Sequence, residues 1–80
     1  MGFSEAQGGV LGFRFKKIID ETSAPATTYI GYAEPGTSLS INKWSICRIS
    51  ILGATTTTEW ANGSDSFVNI WNNRATLAYS

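Results

Sequence analysis

The sequence predicts a mainly β protein: a small antiparallel sheet, or a barrel or sandwich, with one short C-terminal helix at about 66–72 and an extended N-terminal arm. Three observations point there. Runs of β-branched and aromatic residues, "TTYIGYA" and "KWSICRISIL", recur between turn formers such as "EPGTS" and Gly53-Ala54. The apolar spacing changes from two to three and four only at Phe67, Ile70 and Trp71. The first nine residues hold three glycines and little apolar surface.

Taken in order, residues 1–9 read as the arm, because so little apolar surface cannot offset the entropy of ordering a backbone. Residues 10–80 read as a single β-rich domain. The arm is expected to order only against a neighbouring subunit, with Phe3 as its anchor and Gly8-Gly9 as its hinge. In "VLGFRFKKII", Val10 to Ile19, Phe13 and Phe15 alternate against Arg14 and Lys16, the period of a strand with one buried face. Gly12 marks a bend or bulge in it. "DETSAPATT" gathers turn formers around Pro25, and "TTYIGYA" follows as a second strand. Pro35 presets φ at the second position of a turn and Gly36 supplies positive φ at the third, which predicts type II.

"SLSINK" can form one helical turn capped by Ser38. "KWSICRISIL" is the strongest strand, with Trp44 and Ile46 on one face and Cys47, Ile49 and Ile51 on the other. Apolar residues on both faces predict a central strand. Gly53-Ala54 then reverses the chain into "TTTTEW" as a hairpin. In "NGSDSFVNIWNNR", Phe67, Ile70 and Trp71 fall on one stripe of a short helix, capped by Ser64 or Asp65 and ended by Asn72 or Asn73 in a left-handed conformation. "RATLAY" alternates again, placing Ala75, Leu77 and Tyr79 on one face of a closing strand.

Eighty residues form a core that buries only about 60% of the unfolded surface, so a fold of this size usually needs a staple. Cys47 is the only cysteine, which excludes a disulfide within the chain; no histidine and six scattered Asp and Glu argue against a metal. Self-association or docking on a larger body is left. A net charge of zero argues against a nucleic-acid partner. No apolar run approaches the roughly 20 residues of a membrane span, so no membrane partner is expected. The start lacks the basic and apolar regions of a secretory signal, and synthesis and folding in a reducing cytoplasm are expected. Asn62-Gly63-Ser64 matches a glycosylation acceptor, but Asn-Gly favours a plain turn.

No catalytic constellation emerges, and no cofactor is expected. A serine or cysteine nucleophile would lack a histidine base, and Cys47 reads as a small buried hydrophobe. Gly8-Gly9 and Gly12 follow no strand, so they form no phosphate loop. "NGSDS" lacks the ligand spacing of a calcium loop. The aromatic residues divide instead. Trp44, Phe67 and Trp71, with Ile46, Ile70 and Leu77, are expected in the core, and Tyr29, Tyr32, Trp60 and Tyr79 at edges or interfaces. Arg74 is expected to make a structural polar contact with Glu59 or Asp65.

With these residues in place, "YIG" at Tyr29, "PGT" at Pro35, "WSICRI" at Trp44, "EWANG" at Glu59 and "FVNIWNNRATLAYS" from Phe67 form an ordered set. Over residues 29–80 this set resembles a group of small, mostly uncharacterised proteins of tailed bacteriophages. The group's usual ending carries Asp where this chain has Asn72, so an arginine paired with that acid would leave Arg74 needing another partner. The resemblance implies a non-enzymatic structural protein of the virion, made in the host cytoplasm, whose partners are other copies of itself and other virion proteins. The alternative is a tail-tip or fibre-type module presenting Tyr and Trp to a bacterial surface glycan or receptor.

Overall fold

The computed structural model describes residues 15–80, and the fold class is as expected: mainly β, with one short C-terminal helix. Strands β1 (Lys16–Ala24), β2 (Thr27–Ala33), β3 (Ser45–Leu52) and β4 (Thr55–Trp60) form one antiparallel sheet in chain order. The sheet is open, neither a barrel nor a sandwich. β3 lies between β2 and β4, the central place its two apolar faces require. The expected arm with Phe3, Gly8 and Gly9, and the bend at Gly12, lie outside the described residues.

β1 differs from its expected form in extent and in facing. It continues through Ala24 instead of ending at Ile19, because Asp20 holds an irregularity within it. The Asp20 carboxylate accepts the N–H groups of Thr22 (3.2 Å) and Ser23 (3.1 Å), so these residues leave the ladder and pairing resumes at Ala24↔Thr27. Ile18 packs against the core, while Phe15 is 53% exposed and lies outside it. Pairing of Ile18 with Gly31 decides this, because it sets Ile18 over the one core position without a side chain.

The turns follow local chemistry. Pro25 with Ala26 at φ 53° links β1 to β2 in the φ pattern of a type II turn, and Ala26 O accepts Ile51 N–H at 3.0 Å. A left-handed alanine is strained where glycine would not be. Ala26→Gly is therefore expected to stabilise the fold by about 0.5–1 kcal/mol, read as a higher urea midpoint, and Ala26→Val to lower it. Gly36 has φ 87° and Thr37 N–H donates to Glu34 O at 3.1 Å, as the type II reading requires. Gly53, at φ 61°, opens the two-residue β3–β4 turn. Asn62 and Gly63, at 58° and 69°, form a type I′ turn closed by Ser64 N–H on Ala61 O.

At Ser38 a single hydrogen-bonded turn forms, with Ile41 N–H on Ser38 O and Ser40 N–H on Ser38 Oγ, both at 3.3 Å, but no helix. The loop curls so that Ser38 O accepts the Trp44 indole N–H at 2.9 Å, fixing that ring. The expected helix at 66–72 is absent as well; a 3-10 helix runs over Trp71–Thr76 instead. The Asn62-Gly63 turn returns the chain alongside β3, where Asn69 and Trp44 exchange both backbone hydrogen bonds (2.9 and 3.0 Å). A residue bridged in this way cannot also continue a helix, so the spacing of Phe67, Ile70 and Trp71 marks no common face. Trp71 inserts, Ile70 is half-buried, and Phe67 is 42% exposed, stacked on Phe15 at 5.5 Å. The helix has no side-chain cap, and Leu77 follows it in extended backbone. The closing strand reduces to Tyr79 bridging Ala61, with Ser80 and Trp60 bonded in both directions; Ala75 is exposed.

Candidate functional site

The two faces of the sheet differ, and register explains how. Ile18↔Gly31↔Ile46 and Asp20↔Tyr29↔Arg48↔Glu59 run across the first face. On it lie Trp44, Trp71, Leu77 and Tyr79, which complete a core with Tyr29, Ala33, Ile46 and Ala61. Gly31 is the floor beneath the two indoles, whose ring centroids are 6.0 Å apart.

Polar residues tie the rim of this core. The Arg74 guanidinium lies 4.6 Å from the Trp71 ring, donates from Nε to Asp20 Oδ2 at 3.0 Å and reaches Trp71 O at 3.2 Å. Arg74 thus takes a structural contact, but with Asp20 and not with Glu59 or Asp65. Glu59 is held by Arg48 at 2.7 Å, its cross-strand neighbour, and Asp20 is brought under Arg74 only by folding. Arg48 also stacks 4.6 Å from the Tyr79 ring, whose hydroxyl donates to Arg74 O at 2.8 Å. Burial, with Tyr29 adding to it, pushes the Tyr79 hydroxyl up to about 12 against the opposing charge of Arg48.

Asp20 links β1, its irregularity and the C-terminal helix. The Ser23 hydroxyl, with the Thr22 and Ser23 N–H groups and Arg74, holds its carboxyl well below the ordinary 3.8, against partial burial that acts the other way. The folded state therefore binds this proton more weakly than the unfolded state. Its stabilisation is fully present above about pH 4 and is lost as pH falls toward the lowered folded value. Asp20→Asn is expected to be less stable than wild type at pH 7, with the gap narrowing between pH 4 and pH 2 in urea titrations. A gap that does not change with pH would show that the carboxylate charge is not what stabilises the link.

The second face is composed differently. Ile19↔Ile30↔Cys47↔Trp60 and Thr28↔Ile49↔Thr58 cross it, with Lys17↔Tyr32↔Ser45 at one end and Ile51↔Thr56 toward the other. None of these side chains belongs to the core cluster. Ile19 and Ile51 are 49% and 54% exposed, and Ile30, Tyr32, Ile49 and Trp60 are half-buried among their own neighbours. Among these paired positions Lys17 alone is charged, with its ammonium 5.7 Å from the Tyr32 ring. Cys47 is buried in the middle of the row, and burial raises its thiol, opposed by Lys17, which disfavours a reactive thiolate.

The candidate interface residues therefore separate. Tyr32 and Trp60 lie on the open face, whereas Tyr29 is buried in the core and Tyr79 is packed against it. Tyr29 is drawn inward because its strand position faces the C-terminal segment, a tertiary contact that aromatic character alone does not signal. Of the expected core residues, Trp44, Ile46 and Trp71 are buried and Leu77 is packed at the margin, while Phe67 is not. No group of three His, Cys, Asp or Glu among the described residues is placed to hold a metal. Compared with known protein families, curated proteins and solved structures, the chain matches none.

Proposed function

We propose that this chain is a non-enzymatic structural protein of a tailed-phage virion, a small self-associating subunit that decorates or joins capsid or tail. The observation that carries the reading is the second face of the sheet, where the row Ile19, Ile30, Cys47 and Trp60 crosses all four strands between threonine and serine positions, with one charge among its paired positions. Such a surface is suited to burial against another protein. The segments that resemble tailed-phage proteins support the same reading in another way. Their Tyr29, Trp44, Ile46 and Trp71 converge on the core, Pro35-Gly36 and Asn62-Gly63 make turns, and Arg74 finds in Asp20 the acid that Asn72 does not supply. Residues that serve packing and chain reversal describe a building block.

Quantitative mass spectrometry of purified particles tests the proposal. Incorporation in hundreds of copies supports decoration of a shell or tail tube, and about a dozen supports a connector. Absence from particles overturns the reading. Direct binding of the isolated chain to a bacterial surface glycan would favour the tip-domain alternative, for which Tyr32 and Trp60 are the available rings.

A further inference from the structure

We infer that Asn62-Gly63 is a covalent modification site that the fold keeps latent: deamidation there is held off while the turn is closed and proceeds once it opens. Asn62 is the only asparagine in the chain followed by glycine. With no side chain on the next residue, nothing shields the Gly63 nitrogen from the Asn62 side chain. Both residues are exposed, so water and hydroxide reach them. In the reaction the Gly63 N–H gives up its proton and the nitrogen attacks Asn62 Cγ. The N–Cγ bond forms, the Cγ–Nδ2 bond breaks, and Nδ2 leaves as ammonia, carrying that proton. Water then opens the succinimide ring at either carbonyl, giving aspartate or isoaspartate. The product gains a carboxylate, and the neutral chain becomes net negative.

The turn restrains the atoms of that step. Gly63 N–H donates to Trp60 O at 2.9 Å, so ionising it sacrifices a hydrogen bond. Asn62 Nδ2, the leaving group, donates to Asn69 Oδ1 at 2.9 Å, which ties the side-chain amide to Asn69. Asn69 is 5% exposed and fixed by both backbone bonds to Trp44, so the tether is rigid. Its Nδ2 is buried with no hydrogen-bond partner among the described residues, a cost the fold bears while Oδ1 serves Asn62. Asn62 N–H donates to Ala78 O at 2.6 Å and locks the turn to the C-terminal segment. Gly63 has φ 69°, and a Cβ there would lie 2.8 Å from Ser80 Oγ, so the residue that makes the pair reactive is the one the turn requires. The change is one-way. Isoaspartate routes the backbone through Cγ and adds a methylene to a two-residue turn, which is expected to disturb the bridge between Ala61 and Tyr79.

Incubation of the full chain at pH 8 and 37 °C, with and without guanidinium chloride, tests this when the tryptic peptide 49–74 is followed by mass spectrometry. Unfolded chain is expected to deamidate at Asn62 at least about tenfold faster than folded chain. Asn69→Ala removes the tether and is expected to raise the folded-state rate at least about threefold. Ala26→Val, in the distant β1–β2 turn, is the control, compared at denaturant concentrations that give equal global stability. Equal rates in folded and unfolded wild type overturn the proposal, and so does an Asn69→Ala rate no higher than that of Ala26→Val. If Asn69→Ala does not fold, hydrogen exchange at the Gly63 amide of wild type decides: protection supports the restraint and free exchange overturns it. This chemistry does not depend on the virion assignment.

Discussion

Trp71→Ala is expected to remove a large part of the protein's stability at 25 °C. The indole is 2% exposed, lies on Gly31, tilts against Trp44 and carries the Arg74 guanidinium on its face. Truncation removes its burial, opens a cavity between the sheet and the C-terminal segment, and takes away the surface that positions Arg74 over Asp20. A loss of about 3–5 kcal/mol follows from the first two effects. The total stability of domains this size is only about 4–12 kcal/mol. Tyr32→Ala, on the open face, is expected to cost under about 1.5 kcal/mol in the monomer. Urea unfolding followed by far-ultraviolet circular dichroism compares the two; equal midpoints would show that Trp71 does not anchor the core.

Gly31→Ala is expected to have the next largest effect. A Cβ at this position would lie 2.6 and 2.8 Å from Trp71 Cε3 and Cζ3 and 3.0 Å from Trp44 Cε3. Both rings are buried, and the Trp44 indole is tethered through Ser38 O, so neither can swing away freely. Displacing them costs about 2–3 kcal/mol, even though alanine is otherwise a better strand residue than glycine. The assignment has a specific signature in a double-mutant cycle. Trp71→Phe makes room, so Gly31→Ala should cost at least about 1 kcal/mol less in that background. Strict additivity would mean that the glycine serves some purpose other than admitting the indole.

Local chemistry made much of the fold legible. The β2 run "TTYIGYA" matches the strand Thr27–Ala33 end for end, and Pro35-Gly36, Gly53 and Asn62-Gly63 all turn where their φ preferences direct. The central place of β3 followed from apolar residues on both its faces. In each case the signal lies within a few residues of its consequence, so no distant contact was needed to read it.

Long-range contacts decided the rest. Phe67, Ile70 and Trp71 have the spacing of a helix, yet Asn69 binds Trp44, 25 positions earlier in the chain, and the helix starts only beyond it. Arg74 had two acids within reach by sequence and took Asp20, 54 residues away. Tyr29 and Tyr32 share a strand and a ring chemistry, but one is core and the other faces outward because the C-terminal segment lies across only one side of the sheet. The sequence by itself determined the strands, the turns and the two apolar faces of β3. The tertiary structure alone decided which face the C-terminal segment covers among the described residues. The physical reason is that alternation records that a side chain faces one side or the other, whereas coverage depends on where a distant segment packs.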